Sequence, residues 1–153
     1  MDDVDRKILR CLQEDATLSL AEVAGRVGLS STPCWRRIQK LEKEGVIRCR
    51  VALLDADKLN VGTTVFVGLK TNQHNYEWLE RFARAVADIE EVVEFYRMSG
   101  DIDYLLRVVV PDIEGYDAVY KRLIQAADLS DVSSSFAMEK IKYTTALPLH
   151  YTP

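Results

Sequence analysis

Six cations, Arg36, Arg37, Lys40, Lys43, Arg48 and Arg50, fall within residues 31–50, where the only acids are Glu42 and Glu44. Such a cluster suits a polyanion, and two members of the segment suit nucleic-acid bases in particular. An arginine such as Arg36 can grip guanine with two hydrogen bonds, and a glutamine such as Gln39 can do the same to adenine. Arg37, Lys40, Lys43 and the hydroxyls of Ser30, Ser31 and Thr32 are better matched to phosphates, which position a protein on a duplex without reading its sequence. Pro33 and Trp35 lie among these residues and complete the candidate DNA-binding set. The plain alternative is a solvated basic face on a small helical bundle.

A second group with binding chemistry surrounds Gly100. Asp101 and Asp103 can accept hydrogen bonds from an ammonium group, and backbone N–H groups near Gly100 can donate to a carboxylate. Tyr104 would wall the remainder of such a ligand. The competing interpretation is structural, because Gly-Asp between two strands is also an ordinary hairpin turn. Asp101 and Asp103 have no partner nucleophile, and no glycine-rich phosphate loop or Ser-His-Asp set can be assembled, which argues against an enzyme. Cys11, Cys34 and Cys49 are too few and too scattered for a disulfide framework, and neither His74 nor His150 lies near a cysteine. No metal site and no cofactor are expected. Cys11 and Cys34 fall on apolar helical faces and are expected to be buried hydrophobes.

Charge is unevenly distributed. Residues 1–50 carry ten Lys/Arg against eight Asp/Glu, whereas residues 51–153 carry ten against sixteen, which together give the net −4. A basic element in an otherwise acidic chain suggests that one part meets a polyanion while the rest does not. Hydrophobic residues make up 48% of the chain and charged residues 29%, as in folded globular proteins. No apolar run approaches the ~20 residues needed to cross a bilayer. Asp2, Asp3 and Asp5 are the opposite of the positive start of a secretory signal, so a cytoplasmic protein is expected.

These residues must be positioned by elements, and hydrophobic periodicity supplies them. Val4, Ile8, Cys11 and Leu12 recur at helical spacing, and the early aspartates suit a helix N-terminus. Ser19 and Glu22 form a capping box for a second helix, which stops at Gly28. Ser30 or Ser31 caps a third, with Cys34, Ile38 and Leu41 on its apolar side and Gly45 at its end. Thr32, Arg36, Gln39 and Lys43 fall on the opposite face. Two short helices joined by a glycine turn, the later one basic on its outer side, form a helix-turn-helix. Residues 46–54 are apolar and β-branched and are predicted to be a strand, and residues 55–62 a polar hinge.

Beyond residue 62 the pattern alternates. Strands are predicted over residues 63–70, 92–99, 104–110 and 132–142. Helices are predicted over residues 76–87, with Leu79, Phe82 and Val86 inside, and from Asp112, with Tyr116, Tyr120, Leu123 and Ile124 inside. The order βαββαβ is a ferredoxin-like unit, with a tight turn at Gly100-Asp101. Such a unit leaves one sheet face for a second copy to cover, so a homodimer is expected, with the apolar tail 143–151 as part of an interface. Two recognition helices about 34 Å apart would then fit successive major grooves.

Two stretches bring a family into view. DDVDRKILRCLQEDATLSLAEVAGRVGLSSTPCWRRIQKLEKEGVI and RMSGDIDYLLRVVVPD resemble the Lrp/AsnC (feast/famine, leucine-responsive) regulators, and the similarity spans nearly the whole chain. The first carries the family's DxxDxxIL opening, GLS turn and RIxxLExxGVI helix end, and the second carries its characteristic loop. The resemblance implies an α+β chain with three parts. A winged helix-turn-helix DNA-binding domain occupies residues 1–50, a linker strand and hinge 51–62, and a ferredoxin-like (RAM/ACT-like) effector and oligomerisation domain 63–153. It implies a regulator of transcription that binds double-stranded DNA and assembles from dimers to octamers. Its small effector, commonly an amino acid, would lie between dimers near Met98, Ser99, Gly100, Asp101, Asp103 and Tyr104, with Ser134 and Ser135 of the last strand close by. STPCWRRIQKLE and SSFAMEKIKYTTALPL resemble a branch that includes cysteine-responsive detoxification regulators. Trp35 and Arg36 depart from the common recognition-helix pattern, so base preference does not carry over. The rival readings are a sensor subunit of an enzyme and an architectural DNA binder whose affinity depends on salt but hardly on sequence.

Overall fold

A computed structural model describes residues 1–152, which form two compact units: Met1–Leu53 with residues 141–152, and Leu54–Lys140. The division at Leu53 falls inside the expected linker. The tail from residue 141, expected with the second domain, instead belongs to the N-terminal unit.

Three helices build that unit: α1 (Asp3–Glu14), α2 (Leu20–Val27) and α3 (Ser31–Lys43). The Asp2 side chain accepts the Asp5 N–H while Asp5 returns the bond to the Asp2 N–H, which closes a capping box on α1. Ser19 and Glu22 do the same for α2, as the sequence predicts. Helices α2 and α3 both end in the same device. Gly28 and Gly45 have φ of 72° and 73°, a left-handed conformation that costs glycine little. The next N–H then turns back, Leu29 to the Ala24 carbonyl and Val46 to that of Leu41, both at 2.9 Å. Ile8, Leu9, Val23, Ala24, Val27, Cys34, Ile38 and Leu41 form the core. Cys34 is buried, Cys11 is half-buried and Cys49 is exposed.

The tail returns to α1. The Gln13 amide donates to the Leu147 carbonyl and accepts its N–H at 3.2 and 2.7 Å, and Arg6 Nε donates to Thr152 Oγ1 at 2.8 Å. Leu149 packs against the helical core.

The second unit contains β1 (Thr63–Lys70), α4 (Tyr76–Ala87), β2 (Val92–Arg97), β3 (Tyr104–Val110), α5 (Ile113–Ala126) and β4 (Asp131–Phe136). The sheet is antiparallel in the order β2-β3-β1-β4, the ferredoxin-like arrangement. Alternation sends Val65, Val67 and Leu69 of β1 and Tyr104, Leu106, Val108 and Val110 of β3 to one face. There they meet Trp78, Phe82 and Val86 of α4 and Tyr116, Val119 and Leu123 of α5.

Several expectations are corrected. Residues 46–54 form no strand, because no neighbouring strand in the chain offers their backbone a ladder. Strand β4 stops at Phe136 rather than residue 142: its partner β1 begins at Thr63, and the last backbone bond is from the Ala137 N–H to the Thr64 carbonyl. Strand β2 ends at Arg97, and the connection to β3 is a loop closed by the Met98 N–H on the Asp103 carbonyl at 2.8 Å, wider than a two-residue turn. On α5, Val119 takes the inner position and Ile124 is rotated out to 44% exposure. Residues 55–60, expected as a hinge, form a turn in which the Asp55 carboxylate accepts the N–H groups of Asp57 and Lys58.

Candidate DNA interface and effector site

Helix α3 turns Cys34, Ile38 and Leu41 into the core, and this fixes which residues face out. Ser30, Ser31, Thr32, Pro33, Trp35, Arg36, Gln39 and Lys40 are all exposed, as the helical period predicts. Ser30 occupies the N-cap position, yet its hydroxyl makes no capping bond. The free N–H groups of the first turn therefore remain open to an anion, the usual provision for a phosphate at a helix N-terminus.

The cations of α3 are not equivalent. Arg36 makes no ion pair and no side-chain hydrogen bond among the described residues. Gln39 donates to Glu42 at 2.8 Å, and Glu42 also pairs with Arg50 at 2.9 Å. Lys40 stands 3.8 Å from Glu44. Arg37, expected as a phosphate contact, is half-buried, and its Nη1 bridges Asp2 at 2.6 Å and Asp5 at 2.8 Å. An open groove of about 630 Å³, lined by Asp2, Asp5, Pro33, Arg36, Arg37 and Lys40, runs beside this bridge.

The Asp5 N–H and the Arg37 guanidinium hold the Asp2 carboxyl down at about 2, against an ordinary value of 3.8. A carboxylate whose pKa is depressed in the folded state stabilises the fold above its ordinary pKa and ceases to do so as pH falls through the folded value. Between pH 4 and 2 the helical unit should therefore lose stability as Asp2 protonates. Asp2→Asn should flatten that part of the curve, which thermal melting by circular dichroism at stepped pH would reveal. Equal pH slopes for the two proteins would refute the assignment.

In the second unit, the residues expected to contact an effector divide. Ser99, Gly100 and Asp101 are exposed at the tip of the β2–β3 loop, and Met98 lies at its base. Asp103 anchors the loop: its N–H donates to the Leu69 carbonyl and its Oδ2 accepts the Thr71 N–H, both at 2.9 Å. Tyr104 is a core ring, stacked 5.6 Å from Trp78. Ser134 faces the helices, where its hydroxyl meets that of Tyr116, whereas Ser135 pairs across from Phe66 on the open face. Ser134 and Ser135 therefore do not share one face.

A cavity of about 230 Å³ lies at the loop base. Met98, Asp103 and Tyr104 line it, together with His74, Leu79 and Arg97, which sequence reasoning missed. His74 and Leu79, with Asn75 and Tyr76 between them, come from the start of α4 and the residues just before it, whereas Arg97 ends β2, and no common motif links the two segments. Arg97 makes no ion pair among the described residues, and one Asp103 oxygen remains free, so the cavity presents a cation and an anion beside apolar walls. Gly68 was also missed. A Cβ there would lie 2.8 Å from Ser133 Oγ and 3.2 Å from Ile102 Cγ2, so the glycine lets the loop settle on the sheet.

Comparison with known proteins identifies both units. Residues 1–48 match the winged helix-turn-helix DNA-binding family, and residues 64–147 match the Lrp/AsnC ligand-binding domain. The chain is 51% identical to the DNA-binding transcriptional activator DecR of Escherichia coli K12 over 97% of its own length and 99% of the relative's. It is 49% identical to the glutamate uptake regulatory protein of Zymomonas mobilis, covering 99% and 93%. Among solved structures, an AsnC family transcriptional regulator from Agrobacterium tumefaciens superimposes with a TM-score of 0.97 at 65% identity over all of both chains. A transcriptional regulator from Neisseria meningitidis in complex with L-Met gives 0.93 at 35% identity, over 98% and 97%. The chain belongs to the Lrp/AsnC family of DNA-binding transcriptional regulators.

Proposed function

We propose that this regulator reads its operator with α3 and alters its hold on DNA when an amino acid occupies the sensor unit beside the β2–β3 loop. The observation that carries the reading is the outer face of α3, basic and uncapped, with Arg36 free to meet a base. The cavity at the loop base has the charges to suit a zwitterion, and the Neisseria regulator of the same fold is a complex with L-Met. The protein acts in the cytoplasm and catalyses no reaction.

The working form is a homodimer, assembling further to an octamer. The open sheet face carries Phe66 at 40% and Tyr96 at 50% exposure, beside the Glu94–Arg107 pair at 2.8 Å. A second copy of that face is the natural cover. Effector binding between dimers would respace the recognition helices, and it can do so only by favouring one arrangement over another.

Fluorescence anisotropy tests this with labelled DNA from upstream of the protein's own gene, scrambled DNA as control, and an amino-acid pool split with cysteine and methionine first. Binding that prefers the upstream fragment and shifts with the pool supports the reading. Equal binding to both DNAs, insensitive to the pool, would favour an architectural binder. Asp101→Ala should leave effector-free affinity intact and weaken the response; a full response would remove the loop tip from the site.

A further inference from the structure

Two carboxylates in the groove beside a DNA-reading helix present a physical problem. Negative charge close to phosphates opposes binding, yet Asp2 and Asp5 both stand there with Arg36 and Lys40. Asp5 is only 8% exposed, and a carboxylate so buried must keep a partner. That partner is Arg37, which also reaches Asp2.

The other contacts between α3 and its neighbouring helices are apolar. Burial of Cys34, Ile38 and Leu41 decides which face of α3 points outward, but it carries no hydrogen-bond direction and sets the final few degrees of rotation less sharply than a bonded link would. The cap at Ser30 adds no side-chain bond. The Glu42–Arg50 pair ties α3 only to the segment that follows it, whereas the Arg37 bridge is a directional, charge-assisted link from α3 to the first turn of α1, one residue from Arg36.

We infer that Arg37 is a positioning residue for operator recognition: by bridging Asp2 and Asp5 it fixes the rotation of α3, so that Arg36 and its neighbours meet the base edges, and it cancels the carboxylates' repulsion of the backbone. This rests on the DNA-binding role of α3. It reverses the expectation that Arg37 is a phosphate contact, and it gives the early aspartates a function beyond capping.

The two roles predict opposite signs for Asp5→Asn. The amide keeps an oxygen for the Asp2 N–H, so the cap on α1 survives, while the unit becomes more positive. If Arg37 served as a phosphate contact, releasing it and removing a negative charge would tighten binding to any DNA. In the positioning role, Asp5→Asn weakens binding to the preferred sequence while binding to scrambled DNA holds or rises.

The probe is the duplex that the wild-type full-length protein enriches from a random library, measured beside a scrambled duplex at several salt concentrations. Active fractions come from stoichiometric titration, so that misfolded protein is not counted as weak binding. Asp5→Asn and Arg37→Ala should each lower the enriched-to-scrambled ratio about tenfold, the size of one lost base contact. Arg37→Ala should also weaken both duplexes to a smaller, common extent, because it uncovers the two carboxylates. Arg37→Lys should recover part of the ratio, because an ammonium reaches one carboxylate but lacks the planar fork. The inference is overturned if Asp5→Asn tightens both duplexes alike or changes neither, or if Arg37→Ala reduces the salt slope by about one with the ratio intact. Failure of the wild type to enrich any duplex would instead remove the underlying DNA-binding role.

Discussion

Replacing Trp78 with alanine is expected to destabilise the sensor unit by about 3–5 kcal/mol, the range for deleting a large aromatic ring from a packed core. Trp78 is 2% exposed and stacks on Phe82 at 5.0 Å and on Tyr104 at 5.6 Å. Phe95 closes the group, 5.6 Å from both Phe82 and Tyr104. Since Tyr104 opens β3 directly after the β2–β3 loop, loss of the ring should also loosen that loop and, on the proposed function, blunt the effector response. Trp78→Phe supplies the contrast. The indole N–H is buried without a hydrogen-bond partner among the described residues, and phenylalanine removes that unfavourable group while keeping most of the aromatic surface. Its cost should be well below that of alanine, about 1–2 kcal/mol, because the smaller ring leaves only part of the indole's volume unfilled. Urea unfolding followed by circular dichroism would measure both variants. Equal losses would mean that the ring's packing does not govern the unit.

Local chemistry explains what was legible in the sequence. The capping box at Ser19 and Glu22, the glycine stops at Gly28 and Gly45 and the stripe of α3 depend on residues within a turn or two of each other, and each appears where periodicity places it. The βαββαβ order is likewise legible, because alternation and helical periods are local signals. Features that depend on distant segments were not. Residues 46–54 have the composition of a strand but no ladder partner, and β4 ends where β1 runs out. Serines at 134 and 135 look alike in a sequence, yet strand parity sends them to opposite faces. The Arg37 bridge was not foreseen because its carboxylate partners lie more than thirty residues away in the chain. The cavity gathers His74, Leu79 and Arg97 through the fold alone. For the outer face of α3, a short-range helical pattern was sufficient; for the second unit it located the loop but not the cavity beneath it.

Arg36→Ala should reduce discrimination between the preferred duplex and scrambled DNA by about 1–3 kcal/mol, which is the value of one bidentate arginine–guanine contact. Arg36 stands in the N-terminal half of α3, where helix-turn-helix proteins reach base edges. Its neighbours are less available: Arg37 is held by two aspartates, Gln39 by Glu42, and Lys40 lies within reach of Glu44. Gln39 must leave Glu42 before it can present both amide groups to adenine, so Gln39→Ala should cost less than Arg36→Ala. The alanine variant would lose affinity in either role, and only a fall in the enriched-to-scrambled ratio marks base readout. Arg36→Lys sharpens the distinction. Lysine keeps the positive charge but not the fork, so a base-reading Arg36 predicts near-normal binding to scrambled DNA together with lost preference for the enriched duplex. Wild-type behaviour of Arg36→Lys on both duplexes would place Arg36 on the backbone. Sequence reading would then fall to Gln39, and the release of Gln39 from Glu42 would become the step that recognition requires.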